Sequence, residues 1–185
     1  MRLARCPLRL REAFLEALYG TTAPSKSSAS RSDSIKRAIE LVRVLEADEG
    51  PTYTRSQNLV YLQTLILLAA EAETQARSST HSAPSRATWL ASAVGVAYHL
   101  RLQDAFDRRR ANLEDPDSND CLGRRVWFIL TILDRWHAAS TARPLLIPDA
   151  NVVLQAEDLE VLGDLTFQLT RTYCPSTYHR LKLTG

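Results

Sequence analysis

The sequence predicts an all-α fold, with several helices packed orthogonally or as a bundle. Apolar residues make up 45% of the 185 residues, and in several stretches they recur three and four positions apart, which is the period of a helix. The 6 glycines and 8 prolines are too few for a loop-rich all-β domain with many tight turns. No stretch alternates apolar and polar residues convincingly, although residues 145–147 and 152–154 are candidates for short extended segments.

Charge and cysteine content limit the kind of protein this is. The chain carries 23 Lys and Arg against 21 Asp and Glu, a net charge of +2, so it has no strongly basic footprint for nucleic acid. Three scattered cysteines do not make a disulfide framework and suggest a reducing compartment. The most apolar stretch, residues 59–70, is shorter than the roughly 20 residues that span a bilayer. We therefore expect no membrane partner.

The N-terminal part is predicted to be one helix followed by a linker. Leucines and alanines fall at helical spacing within residues 1–20, and Gly20 ends the run. Residues 21–34 are rich in Ser, Thr and Ala, which is typical of a flexible linker. Residues 35–163 are expected to form the helical core. Residues 164–185 have no clear pattern, and we expect the domain to be incomplete at its C terminus.

The second helix is predicted to begin near residue 35 and to stop at the Gly50-Pro51 pair. Ser32, Asp33 and Ser34 are alternative N-caps for it. Its apolar stripe consists of Ile35, Ile39, Val42 and Leu45.

The next two helices differ in their apolar patterns. Residues 55–77 are apolar on nearly all sides, which predicts a central, buried helix. A further helix should have Pro84 and Ser85 in its first turn. Gly95 lies inside it, and because glycine destabilises a helix interior, we predict close packing against a neighbouring helix there.

The last helix has the most regular apolar pattern. Asp117 or Ser118 is the expected N-cap, and the charged run before it, residues 108–120, is predicted to be solvated surface. After Ser140, two prolines predict an extended segment. The predicted buried face consists of Leu122, Val126, Ile129, Leu130, Leu133 and His137.

Patterns typical of catalysis are missing from the sequence. It has no serine between glycines at a strand-to-helix turn, and no glycine-rich phosphate loop. The cysteines and histidines are too far apart to predict a zinc site, and Glu71 and Glu73 would point in different directions on a helix. We therefore predict no catalytic residue, no metal site, no cofactor and no enzymatic activity for this chain.

Charged residues near the end of the last helix suggest a link to the segment that follows. Residues 138–141 would let the chain turn back toward Asp134. Our hypothesis is that Asp134 or Arg135 holds this loop through polar bonds, with Arg143 as the partner of Asp134. The alternative is that these charges are ordinary helix surface.

The same region resembles the fungal-specific transcription factor domain, the helical middle region of fungal binuclear zinc-cluster regulators. The resemblance covers most of residues 5–155 and includes the upstream segment 96–102. Its pattern is a run of arginines, a pair of tryptophans, an aspartate-arginine pair and a turn ending in Arg-Pro, before residues 147–149. The residues that match it, with one substitution, are called the signature residues below: Arg124, Arg125, Trp127, Phe128, Asp134, Arg135, Arg143 and Pro144.

Three positions depart from this pattern. Phe128 replaces the second tryptophan, Gly123 takes a place often held by arginine, and Ala142 replaces the turn glycine. Because alanine disfavours positive φ, the sequence argues against a left-handed turn at Ala142.

The resemblance implies a regulatory domain that acts in the nucleus on nutrient-responsive genes. Its partners would be other regions of the regulator or coregulator proteins, together with a small-molecule effector, and a homodimer is left open. Such regulators hold zinc in an N-terminal six-cysteine module that contacts DNA. With only three separated cysteines, the chain is expected to lack that module, so its link to DNA would be indirect.

Two other functions remain as alternatives. One is a helical protein-interaction scaffold unrelated to transcription. The other is an all-α enzyme that uses Arg124, Arg125 and Arg135 on an anionic small molecule, although the sequence supplies no base or nucleophile beside them.

Overall fold

The fold is all-α, as the sequence predicts. A computed structural model describes residues 3–23, 28–48, 53–75, 84–104, 118–153 and 158, and this part of the chain contains no strand. The α-helices whose bounds lie within the described residues are α1 (Leu8–Thr22), α2 (Ser28–Ala47), α3 (Arg55–Gln75), α4 (Arg86–His99) and α5 (Asn119–Thr141). Short 3-10 turns cover Leu3–Arg5 and Asp149–Asn151. None of the described helices is long and apolar enough to cross a membrane.

The chain divides into two compact units, residues 1–96 and 97–185. In the first unit, α1 packs against both α2 and α3. Its inner face is made of small residues and one leucine, namely Leu10, Ala13, Ala17 and Gly20. Ile35, Ile39 and Val42 are buried on α2, which confirms its predicted stripe, while Leu45 is half-buried.

Helix α3 is buried on several sides, as its apolar pattern predicts. Thr64 is the polar exception in its core, and its hydroxyl is satisfied by donating to the Val60 carbonyl at 2.9 Å. Its N terminus has a reciprocal cap, because the Thr54 N–H donates to the Gln57 amide oxygen at 2.9 Å while the Thr54 hydroxyl accepts from the Gln57 N–H at 3.4 Å. The buried apolar residues are Leu59, Val60, Leu62, Leu65, Ile66, Leu68 and Ala69.

The predicted linker at residues 21–34 is wrong for its described part. Helix α1 continues to Thr22, and α2 already begins at Ser28, so the predicted caps at residues 32–34 lie inside α2. Gly20 does not end α1. It is buried within the helix, and a methyl group there would lie 2.5 Å from Ile35 Cγ1. Gly20 therefore permits the close approach of α1 and α2.

Gly95 does not have the predicted packing role. The prediction fails because Gly95 is exposed, and a methyl group there would meet no atom within 4 Å. Pro84 and Ser85 also precede the first turn of α4 instead of lying in it, with the Ser85 hydroxyl accepting from the Thr88 N–H at 3.2 Å. Arg101, at φ 56°, follows the end of α4.

The buried face of α5 differs from the predicted one. Ser118 caps the helix by accepting from the Cys121 N–H at 3.2 Å, which confirms one of the two predicted caps. Ile129 is 44% exposed, and Leu122, Leu133 and His137 are only half-buried. Several polar residues of α5 are also buried. The complete buried set is Cys121, Gly123, Arg124, Val126, Trp127, Phe128, Leu130, Thr131, Ile132 and Asp134.

A non-helical segment follows α5. Ala142 adopts the left-handed conformation, with φ 53° and ψ 34°, which overturns the expectation that alanine would not. We call residues 143–153 the strap. The predictions for Gly50-Pro51, residues 108–117 and residues 164–185 lie outside the described residues.

Candidate functional site

The signature residues lie on α5 and on the strap, within the second unit. Arg124, Trp127, Phe128 and Asp134 are on the buried face of α5, whereas Arg143 and Pro144 are exposed on the strap. Arg125 is half-buried, and its Nε donates to the Cys121 carbonyl at 3.4 Å. The spacing of 124, 127, 131 and 134 places these four positions on one face because the helix repeats every 3.6 residues.

Asp134 binds the main chain of the strap. Its two carboxylate oxygens accept from the Leu146 N–H at 3.1 Å and the Ile147 N–H at 3.0 Å. The residue is only 1% exposed, and its nearest cation is Arg135 at 3.4 Å. These bonds satisfy two main-chain donors in a segment that has no sheet or helix partner of its own.

Arg135 binds the same part of the strap from the next position on α5. It donates to the Ile147 carbonyl at 3.0 Å and to the Asp149 carboxylate at 2.5 Å. The structure therefore confirms the hypothesis that Asp134 or Arg135 holds this loop, since both side chains bind it. It contradicts Arg143 as the partner, because Asp134 bonds to Arg135 and to the strap backbone instead.

Arg124 forms a buried ion pair with a residue that the sequence did not suggest. Its guanidinium makes two bonds to the Asp158 carboxylate, at 2.5 and 2.7 Å, and donates to the Val153 carbonyl at 2.5 Å. The Arg124 side chain is 3% exposed and that of Asp158 is 0% exposed. The guanidinium also lies 4.7 Å from the centre of the Phe128 ring, a cation–π distance.

Trp127 contributes an aromatic contact to this face. The ring of Tyr98 meets it edge-on, with centroids 5.8 Å apart, and the Tyr98 hydroxyl accepts from the Asn151 side chain at 2.9 Å. The indole N–H of Trp127 and Nη1 of Arg124 are buried, and neither has a hydrogen-bond partner among the described residues. After the links made by Asp134 with Arg135 and by Arg124, the bond from Asn151 to Tyr98 is a third link that holds the strap.

The site is built for holding a chain segment, and its chemistry is that of main-chain recognition. Within the described residues, no three His, Cys, Asp or Glu side chains come together in a way that would hold a metal ion. Asp149 was within the matched pattern, whereas Tyr98, Asn151 and Asp158 were missed. Nothing local distinguishes Asp158 from the acids beside it, so sequence alone gave no signal for it.

Comparison with known proteins gives one informative match. No family model matches the chain, and no solved structure gives a significant match. A protein of Schizosaccharomyces pombe is 31% identical over 176 residues, which cover 91% of this chain and 20% of that protein. It is described as an uncharacterized transcriptional regulatory protein. The chain is thus similar to one fifth of a transcriptional regulatory protein.

The extent of this match bears on the resemblance seen in the sequence. The chain spans about a fifth of the length of the curated relative that it matches. With no matching family model, the specific resemblance to the fungal-specific domain stays a prediction. The regulatory role of the signature residues also stays a prediction.

Proposed function

We propose that this chain is a regulatory domain of a fungal transcription factor, acts in the nucleus and controls nutrient-responsive genes. The observation that carries the proposal is the 31% identity, over 91% of the chain, to a transcriptional regulatory protein. The signature residues add support, because an aspartate-arginine pair and an arginine three turns earlier are the groups that hold the strap on α5.

The domain would act through protein contacts and would not touch DNA itself. A net charge of +2 over 185 residues gives little of the phosphate attraction on which DNA binding depends. In the proposed regulator, zinc would be held by a separate cysteine-rich module, and this chain would take no cofactor. Its partners would be other regions of the regulator, coregulators or a second copy of the chain, with a small molecule as effector.

The arrangement of charges favours this role over catalysis. Both oxygens of Asp134 accept main-chain N–H groups, and Arg124 and Arg135 already bind carboxylates. Side chains committed in this way have structural partners in place of a substrate. We therefore propose that the chain is not an enzyme.

A reporter experiment tests the proposal. The whole chain would be fused to a heterologous DNA-binding module and expressed in a fungal host with a reporter gene under the module's site. We expect reporter transcription to differ from that given by the module alone, and the difference to change with the carbon or nitrogen source.

Two further results would count against the proposal. One is a reporter that responds identically to the module and to the fusion in every nutrient. The other is specific DNA binding by the chain without the module, measured by fluorescence anisotropy at physiological salt. The second result would move DNA contact into this domain.

A further inference from the structure

Two arginines of α5 bind the returning chain in the same way. Arg135 donates to one main-chain carbonyl, that of Ile147, and to one carboxylate, that of Asp149. Arg124 likewise donates to the Val153 carbonyl and to the Asp158 carboxylate. Each guanidinium therefore binds one main-chain carbonyl together with the carboxylate of a residue that lies further along the chain.

The spacing of the two arginines fits a strap that is not fully extended. They are eleven residues apart on α5, which corresponds to about 16 Å along the helix axis. The two carbonyls that they bind are six residues apart, and a fully extended chain of that length spans about 20 Å. The 3-10 turn at Asp149–Asn151 shortens the path between them. The strap thus runs back along α5 in the opposite direction.

Apolar packing contributes little to this contact. Between Ala142 and Val153, only Ile147 is buried, at 0% exposure, while Leu145 and Leu146 are each 39% exposed. Recognition rests on main-chain carbonyls and carboxylates, which an acidic segment with the same backbone course also offers. Charge-assisted bonds of this kind are about twice as strong as neutral ones.

We propose that Arg124 and Arg135 form a binding site for an acidic peptide with the same backbone course as the strap, and that the strap occupies this site as an autoinhibitory contact. A partner with an acid two residues after an accepting carbonyl would replace Asp149 and Ile147 at Arg135. The binding site does not depend on the proposed role in transcription, because the bonds between α5 and the strap alone define it.

Competition by a peptide tests the proposal on the full chain. The probe is a fluorescently labelled synthetic peptide with the sequence of residues 143–158, and its Kd is measured by anisotropy. Asp149→Asn removes a carboxylate that is 77% exposed, so the variant should fold while its own strap is held less tightly. We expect it to bind the peptide more tightly than the unmodified chain, by at most about fivefold, since exposed ion pairs contribute up to about 1 kcal/mol.

Arg135→Gln is the matched control, because it breaks the same ion pair by changing the arginine of the binding site in place of the aspartate of the strap. It should bind the peptide more weakly than Asp149→Asn does, although both variants lose the Arg135–Asp149 bond. Arg135→Lys serves if the glutamine variant fails to fold by circular dichroism, because lysine keeps the charge but not the two-pronged donor geometry.

A peptide with asparagine at both aspartate positions should lose binding to every variant. Equal affinity of the three proteins for the acidic peptide, including no detectable binding by any of them, overturns the proposal. So does equal affinity for the acidic and the asparagine peptides.

Discussion

At the scale of single residues, the bonds of Asp134 explain why a charged group lies in the core of this unit. Removing the carboxylate leaves the N–H groups of Leu146 and Ile147 without acceptors, and an unsatisfied buried donor costs about 1–3 kcal/mol. We expect Asp134→Ala to lower the free energy of unfolding by about 3 kcal/mol. Asp134→Asn should cost less because its amide oxygen still accepts one bond. Urea denaturation followed by circular dichroism measures both.

The control for this prediction is Asp149→Asn. Its carboxylate binds Arg135 at 2.5 Å but is mostly in solvent, so its loss should cost less than about 1 kcal/mol. Equal destabilisation by Asp134→Ala and Asp149→Asn would show that the bonds from Asp134 to the strap contribute no more than a surface ion pair.

Two residues with positive φ show what the sequence did not reveal at this scale. Ala142 ends α5 at φ 53°, and Arg101 follows α4 at φ 56°. At Arg101 the chain forms a Schellman turn, in which the Leu102 N–H donates to the Ala97 carbonyl and the Arg101 N–H to the Tyr98 carbonyl. Glycine is the usual signal for such turns, so a sequence with alanine and arginine there gives no warning of them.

At the scale of elements, two helical glycines have opposite surroundings. Gly20 faces Ile35 across the contact between α1 and α2, whereas the position of Gly95 opens to solvent. We expect Gly20→Ala to destabilise by about 1–3 kcal/mol through overpacking. Gly95→Ala should stabilise by about 0.5–1 kcal/mol, because alanine is the better helix former and meets nothing.

Because both substitutions are the same, the difference between them isolates packing from helix propensity. Thermal unfolding of the two variants beside the unmodified chain gives the sign of each effect. Stabilisation by Gly20→Ala would mean that Ile35 moves aside at little cost, and the contact between α1 and α2 would then not depend on glycine.

The helix α5 shows how far periodicity carries a prediction. Its existence and its Ser118 cap follow from the sequence, because apolar spacing and a capping residue are local features. The orientation does not follow, since the helix is apolar on most sides and the pattern fits more than one face. Arg124 and Asp134 are buried because residues that follow α5 in the chain satisfy them, and those partners are not visible in the local sequence.

At the scale of the whole molecule, the sequence predicted the all-α class and the location of the candidate site better than it predicted the segments that connect the helices. Apolar content and the scarcity of glycine and proline act over the whole chain, so they define the class. The supposed linker between α1 and α2 was misjudged because serine and threonine are common both in linkers and in the polar first turns of helices, such as that of α2. The sequence predicts the strap as an extended segment, but its bonds to Arg124 and Tyr98 required the tertiary structure.

Three groups of the first unit have a raised pKa. Burial raises the pKa of the Cys6 thiol and of the Tyr53 hydroxyl, although Arg11 acts against the rise at Cys6 and the charge of Asp48 adds to the rise at Tyr53. The pKa of Tyr61 is raised furthest, first by burial and then by Glu46, whose carboxylate accepts the Tyr61 hydroxyl at 3.1 Å. All three shifts favour the neutral, protonated form in the folded chain.

These shifts predict that the first unit loses stability at alkaline pH. Tyr61 is protonated in both states below its ordinary pKa of 10.0, so its contribution is fully present there. Above pH 10 the unfolded chain releases this proton while the folded chain retains it, and the free energy of unfolding falls as pH rises. We expect urea denaturation to show a smaller loss between pH 9 and pH 11, values chosen on either side of that pKa, for Tyr61→Phe than for the unmodified chain. Because the chain has 6 tyrosines, the difference in tyrosinate absorbance between the two proteins follows the titration of Tyr61. Equal losses for both proteins would mean that Tyr61 ionises equally easily in the folded and unfolded chain, and that its bond to Glu46 does not hold the proton.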